Sequence, residues 1–273
     1  MKKIQSLLIA VLSLPVAAQA LTFAVNEGAT YRVTDTEIQQ KYKLVAEELG
    51  KLLGQKVNIV PVSDYPTIAE GLAASKFDLA YIHPSHLAFK AMASDGYKLV
   101  ALTKGFTDYK AHFLVRGDST ARSMADLKGR KLGVPSPDSV TSVLARTTMR
   151  EAFKEADAVS YLSTRYQDAI PFMIENGFVE AGVTGSEGVA KAWVAKGGKV
   201  AFSSKPVPVK LVLASKNVAG DDLAALQAWF ISLDTSDKGR KLLEGIDKKG
   251  FVAQDQKALA NVGSWMATGV PVR

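Results

Sequence analysis

The sequence predicts an α/β protein of two lobes, each a mostly parallel sheet flanked by helices, joined by two extended hinge crossings. Three observations carry this. Short apolar runs alternate with amphipathic helical stretches from Leu21 onward, the mark of βαβ repetition. That alternation breaks at residues 105–110, restarts, and breaks again at 204–209. The 273 residues also exceed the usual single-domain size of about 100–150.

Each element has a local reason. The opening MKKIQSLLIAVLSLPVAAQA places Lys2 and Lys3 ahead of an apolar stretch from Ile4 to Leu14 and ends on Ala18-Gln19-Ala20, as a secretory signal cut near Ala20 would. Its apolar part is shorter than the roughly 20 residues of a membrane-spanning helix. LTFAV (21–25) then reads as a strand, and Ile38, Tyr42, Val45, Leu49 and Leu52 recur at helical spacing until Gly54. KVNIVPV (56–62) is a strand, and SDYPTIAEGLAA opens a helix with Ser63 or Asp64 at the cap and Pro66 in its first turn. FDLAYI (77–82), the short helix PSHLAFKAMA and YKLVALT (97–103) complete the first unit.

The second unit runs from AHFLVRG (111–117) through a capped turn at SMADLKG, the strand KLGV (131–134) and a helix over 138–153. A helix near 166–176, the strand VEAGVT (179–184), a helix over SEGVAKAWVAKG and the strand KVAFS (199–203) follow. KPVPVKLVLAS (205–215) returns as an extended path into a strand, and three helices close the chain. The expected division is a signal at 1–20, lobe 1 at 21–107 plus 208–273, and lobe 2 at 108–207.

Composition narrows the function classes. There is no cysteine, which removes disulfides, thiolate metal sites, cysteine nucleophiles and a lipid-modified anchor together. An exported, untethered protein is expected in the periplasm, where an outer barrier retains it. Loss of Lys2 and Lys3 lowers the formal charge from +7 to +5, a scattered excess without the basic runs that nucleic acid requires. No G-x-S-x-G, H-E-x-x-H, P-loop or dinucleotide fingerprint is present, so the reading is not an enzyme.

The stretch GVPSPDSVTSVLAR (133–146) gathers Ser136, Ser139, Thr141 and Ser142 at the mouth of a helix. Such hydroxyls cap a helix by satisfying its orphan amides. The same amides, with a hydroxyl or two, also cradle an anion. Ligands of open α/β sheets sit beyond the carboxyl ends of the strands, which favours a ligand here. Tyr81, closing FDLAY, either reaches the cleft or roofs the core; Tyr109 lies on the first crossing; Tyr31 and Tyr65 are weaker candidates. His83 is expected to donate a hydrogen bond at the cleft edge, with a charge that changes near neutral pH. Arg165 reads as an oxyanion partner or a solvated charge. His83 and His86 lack the further ligands a metal needs, so no metal or other cofactor is expected.

The stretches LVAEELGKLLGQKV (44–57), DYPTIAEGLAASKFDLAYIHPSHLAFKA (64–91), YKAHFLVRGDSTARSMADLKGRKLGVPSPDSVTSVLAR (109–146) and YQDAIPFMIENGFVEAGV (166–183) add a further layer. With KPVP (205–208) and GRKLLEGIDKKGFV (239–252), they resemble the periplasmic solute-binding proteins of the phosphate, phosphite and phosphonate ABC importers. The resemblance implies a type II periplasmic binding protein fold, a small anionic ligand between the lobes, hinge closure, a membrane ABC permease as partner, and a monomer. It implies ligand roles for Tyr81, Tyr109 and Ser139, with Thr141 in place of a second serine. Ser142 stands where the group has glycine, and Tyr166, preceded by Arg165, where it has histidine. Two other readings stay open: an uncharged or zwitterionic metabolite on the same scaffold, and a sensory partner of a membrane kinase.

Overall fold

Alternating apolar runs and capped helices build two sheets in a computed structural model that describes residues 20–28, 33–153, 155 and 158–271. The expected signal segment before Ala20, and Tyr31, lie outside the described residues. β1 (Leu21–Asn26) leads to α1 (Asp35–Leu53), which starts at Thr34 in a reciprocal capping box with Glu37 and stops at Gly54, whose φ of 65° suits glycine. β2 (Val57–Pro61) precedes α2 (Tyr65–Ala73), where Asp64 accepts the Thr67 amide at 2.8 Å and Pro66 occupies the first turn. β3 (Leu79–Ile82), α3 (Ser85–Ser94) and β4 (Lys98–Thr103) follow.

Beyond the first crossing come β5 (His112–Val115), β6 (Lys131–Val134), α4 (Val140–Ala152), β7 (Ser160–Ser163), α5 (Ile170–Glu175), β8 (Ala181–Thr184), α6 (Glu187–Ala195) and β9 (Lys199–Ser203). After the second crossing the chain forms β10 (Leu211–Ala214), α7 (Gly220–Ser232), α8 (Asp237–Gly245), β11 (Phe251–Val252) and α9 (Ala260–Ala267). Two strands escaped the sequence reading. β7 is a half-exposed edge of four residues, and β11 has only two, so neither shows a periodic apolar signal.

One sheet has the order β11-β4-β10-β3-β1-β2 and the other β7-β6-β8-β5-β9. The parallel pairing expected from βαβ units is found at β1–β2, β1–β3, β6–β7 and β6–β8. Strands next to the crossings run antiparallel, so each sheet is mixed. The cause is topological: β4 leaves the first sheet, and β10 re-enters it, at the end where β3 finishes, with Leu211 opposite both Ile82 and Leu102. In the second sheet His112, the first residue of β5, lies opposite Thr184 and Ser203, the last residues of β8 and β9. The crossings therefore join the carboxyl ends of the two parallel cores.

One core cluster packs α1, α7 and α8 on the first sheet through Phe23, Tyr42, Leu49, Phe230 and Phe251. A second is continuous from Ile68 and Leu72 of α2 and Leu213 of β10 to Leu132 of β6 and Val143 and Leu144 of α4. α9 touches both sides of this seam. Thr147 donates to the Met266 carbonyl at 3.3 Å, Arg146 Nε donates to the Gly269 carbonyl at 2.6 Å, and Ser85 contacts the Met266 sulfur at 3.8 Å. Gly269 is required by the close approach, because a Cβ there would overlap the Val143 carbonyl and Thr147.

Leu213, fully buried at the centre of the first sheet, tests this packing against Leu44, which is 56% exposed. Leu213→Ala is expected to lose about 2–5 kcal/mol in urea melts. Leu44→Ala is expected to stay within about 0.5 kcal/mol.

Candidate functional site

The crossings join the carboxyl ends of the strands in both sheets, and the predicted residues sort around this junction. Ser139 caps α4: its Oγ accepts the Ser142 amide at 3.2 Å and donates to Ser142 Oγ at 3.1 Å. Ser142 Oγ in turn donates to the Pro135 carbonyl at 2.9 Å. These two hydroxyls close a small internal ring, so the capping explanation holds for both. Ser136 is half-buried one turn earlier, its carbonyl accepting the Ser139 amide at 2.9 Å. The amides of Val140 and Thr141 have no partner among the described residues, as expected for the first turn of a helix.

Thr141 lies off that ring. Its Oγ1 is 2.6 Å from the hydroxyl of Tyr109, which reaches over from the first crossing. Tyr109 is held at both ends. Its backbone exchanges bonds of 3.0 and 2.9 Å with Val207 on the second crossing, and its ring lies against Gly185, where any Cβ would overlap the hydroxyl. The loop carrying Gly185 is fixed by Gln167, whose Oε1 accepts the Gly185 amide at 2.6 Å and the Thr184 hydroxyl at 3.1 Å. Opposite, the ring of His83 meets Tyr109 edge-on at 6.2 Å. Tyr109, Thr141 and His83 thus converge from a crossing and both lobes.

Two expectations need correction. Tyr81 does not project into the gap: it is 1% exposed and faces the α1 layer, its ring 5.8 Å from that of Tyr42. Its place in β3 puts it on the face opposite to Ala80 and Ile82, and both faces of this sheet are apolar. His83 does not titrate near neutrality. It is 1% exposed, and burial, with the nearby Lys210 charge, pushes it down to about 3. Arg165 is exposed, with its guanidinium 5.3 Å from the half-buried Tyr166 ring.

A charged cluster went unread. Glu27, the residue after β1, receives Lys210 at 3.1 Å, Lys248 at 3.0 Å and the Tyr42 hydroxyl at 2.8 Å. Burial alone would raise the Glu27 carboxyl, but the two ammonium groups and the hydroxyl outweigh it and hold it at about 2. Lys210 sits on the first residue past the second crossing with φ of 60°; its carbonyl accepts from the Thr103 amide and hydroxyl, and its ammonium lies 4.3 Å from the Phe106 ring centre. Two ammonium groups and one carboxylate sum to one positive charge at the carboxyl end of β1. The sequence signal was Lys210 itself, a lone charge inside the apolar run VPVKLVLA (207–214).

These groups link stability to pH. His86, like His83, is held down at about 3 by burial. The unfolded chain takes up protons near pH 6.5 that the folded imidazoles refuse, so their contribution is complete above 6.5 and is lost as pH falls toward 3. The Glu27 contribution is complete above about 4.5 and is lost as pH falls through about 2. Urea midpoints are expected to fall steadily from pH 6.5 to 4.5. In a His83→Gln/His86→Gln double variant most of that slope disappears, while the fall below pH 4.5 remains.

Comparison with known proteins agrees with this architecture. The family described as "ABC transporter, phosphonate, periplasmic substrate-binding protein" matches residues 28–259. The phosphate-import protein PhnD of Mycolicibacterium smegmatis is 25% identical over 252 residues, covering 84% of this chain and 76% of that protein. XAC2383 from Xanthomonas citri, solved bound to ATP, superposes with a TM-score of 0.73 at 14% identity, over 92% of this chain and 96% of that one. PhnD1 from Prochlorococcus marinus, solved with methylphosphonate, gives 0.67 at 15% identity over 90% and 96%. At those identities the solved structures speak for the fold, the type II periplasmic binding protein fold. Among the described residues no helix is long and apolar enough to cross a membrane. The chain belongs to the periplasmic substrate-binding proteins of phosphonate ABC transporters.

Proposed function

We propose that the protein captures a small oxyanion of the phosphonate, phosphite or phosphate-ester type in the gap between its lobes and delivers it to a membrane permease. The observation that carries this reading is the junction of Thr141, Tyr109 and the first-turn amides of α4, near the buried Glu27, Lys210 and Lys248 cluster at the end of β1. Amides at a helix start carry the positive end of its dipole and suit an anion. In this reading Thr141 and Tyr109 supply hydroxyls, Lys210 supplies the charge, and neutral His83 orients Tyr109. Ser139 and Ser142 shape the helix mouth, Ser136 borders it, and Arg165 with Tyr166 forms an outer rim. Tyr81 supports Glu27 from behind.

The lobes, 21–107 with 208–273 and 108–207, close about the crossings as units, and the affinity reflects how far the ligand favours the closed form. The protein acts as a monomer, released near Ala20. Family descriptions of phosphonate transport, and relatives described as importing phosphate or binding methylphosphonate, support the ligand class.

Thermal shift and calorimetry on the mature chain test it. Methylphosphonate, phosphite or phosphate is expected to raise the melting temperature, by an amount set by the ratio of concentration to Kd. Thr141→Ala is expected to weaken the anion by about 10- to 100-fold, the scale of a hydrogen bond to a charged group. Ser139→Ala is expected to cost mainly stability, about 0.5–2 kcal/mol as a lost cap. A melting temperature raised only by neutral or zwitterionic metabolites overturns the oxyanion reading.

A further inference from the structure

A cavity of about 1010 Å³ lies between α3 and α9, ending at Tyr65 and Asp138 near the start of α4. Thr141, Tyr109, His83 and Lys210 are not in its wall, so it is separate from the gap described above. Its size reaches the upper end of small-molecule sites, about 300–1000 Å³.

The sequence explains why it is open. α9 presents Ala260, Gly263, Ser264 and Ala267 toward it, small residues at the spacing of one helical face, opposite the Phe89 and Met92 side chains of α3. Gly263 permits close approach, since a Cβ there would stand 3.1 Å from Phe89 Cβ. The two helices therefore touch at Gly263 and part on either side of it, where no large side chain fills the space. Leu259 and Val270 extend the apolar wall.

The polar groups are placed unevenly. His86 is 7% exposed, forms part of the wall, and its Nδ1 has no partner among the described residues. Burial, with the Arg146 charge nearby, keeps that ring neutral, so it offers a hydrogen bond without a charge. Lys90, Lys98 and Lys257 lie around the cavity against Asp138 and Asp255. Three ammonium groups and two carboxylates sum to one positive charge around an apolar floor.

We propose that this cavity is a second ligand site that takes an amphiphilic carboxylate, a medium-chain fatty acid in shape and charge. Its hydrocarbon covers Phe89, Met92, Leu259 and the small-residue face of α9, and its carboxylate meets the lysine rim. Because α9 also binds α4 through Arg146 and Thr147, an occupant of this cavity rests against a helix shared by both lobes.

Calorimetric titration of the mature chain with decanoate below its micellar concentration, and with decanol, tests the site. One-to-one decanoate binding is expected, at least about 10-fold tighter than decanol. It is expected to vanish in Ala260→Phe, which fills the cavity from the exposed start of α9. In Lys90→Ala/Lys257→Ala, a surface pair that leaves the fold intact, it is expected to weaken about 10-fold. Saturating methylphosphonate is expected to leave the decanoate isotherm unchanged. No decanoate binding, equal affinity for decanol, indifference to both variants, or competition by methylphosphonate overturns the proposal.

Discussion

The paired crossings are the constraint on which the rest of the structure depends. Tyr109 and Val207 exchange two backbone bonds, so the two extended connections form one short ladder between the lobes. Because both connections leave from strand carboxyl ends, that ladder sets β1 and β3 facing β6 and β8, and it brings Thr141 and His83 within reach of one tyrosine. Had either connection attached at the amino ends, the start of α4 would face away from the first sheet. Gly185 belongs to the same constraint: the tyrosine ring occupies the volume where any other residue would carry its Cβ. The continuous apolar seam through Val143, Leu213 and Met266 lies beside that ladder, so the lobes are held by packing as well as by the crossings.

Electrostatics at the gap follow from burial more than from charge count. Glu27 is 8% exposed and would be costly to ionise alone, but two lysines and the Tyr42 hydroxyl satisfy it. The same burial strips the charge from His83, only a few residues away in space from the lysines. The carboxyl end of β1 therefore places an ammonium paired with a carboxylate near a histidine that carries no charge. A group that stays neutral across the physiological range makes the site insensitive to modest changes in pH, unlike one built on a titrating imidazole.

What the sequence made legible was whatever local chemistry dictates. Gly54 and Pro66 mark helix boundaries because few other residues satisfy those backbone positions, and the alternation of apolar runs with helical patterns gave both units and both crossings. Features set by long-range geometry were hidden. Lys210 and Glu27 are 183 residues apart, so no window of sequence joins them. The two readings of Tyr81 cannot be separated from its residues because its sheet is covered on both sides, which erases the polar-apolar alternation that would tell one face from the other. The lowered titration of His83 is invisible in sequence because burial is a property of the whole fold. β7 and β11, at sheet edges, are ordered by their neighbours and hardly at all by their own residues.

The serine-rich mouth of α4 shows how one motif divides its labour. Ser139 and Ser142 consume each other's hydrogen-bonding capacity and that of Pro135, which leaves them little to offer a guest. Their ring does something else: it holds the first turn in place, where the amides of Val140 and Thr141 have no partner among the described residues. A glycine at 142 would lose the bond to Pro135 and loosen that turn, so the serine there substitutes internal order for backbone freedom. Thr141 lies off the ring, and it is the residue that meets Tyr109 from the first crossing. Capping therefore accounts for the hydroxyls of Ser139 and Ser142 without using up the amides of the first turn. The cap is what makes the amides of this helix a fixed, preorganised surface, and preorganisation lowers the ordering cost that any small ligand would otherwise impose on binding.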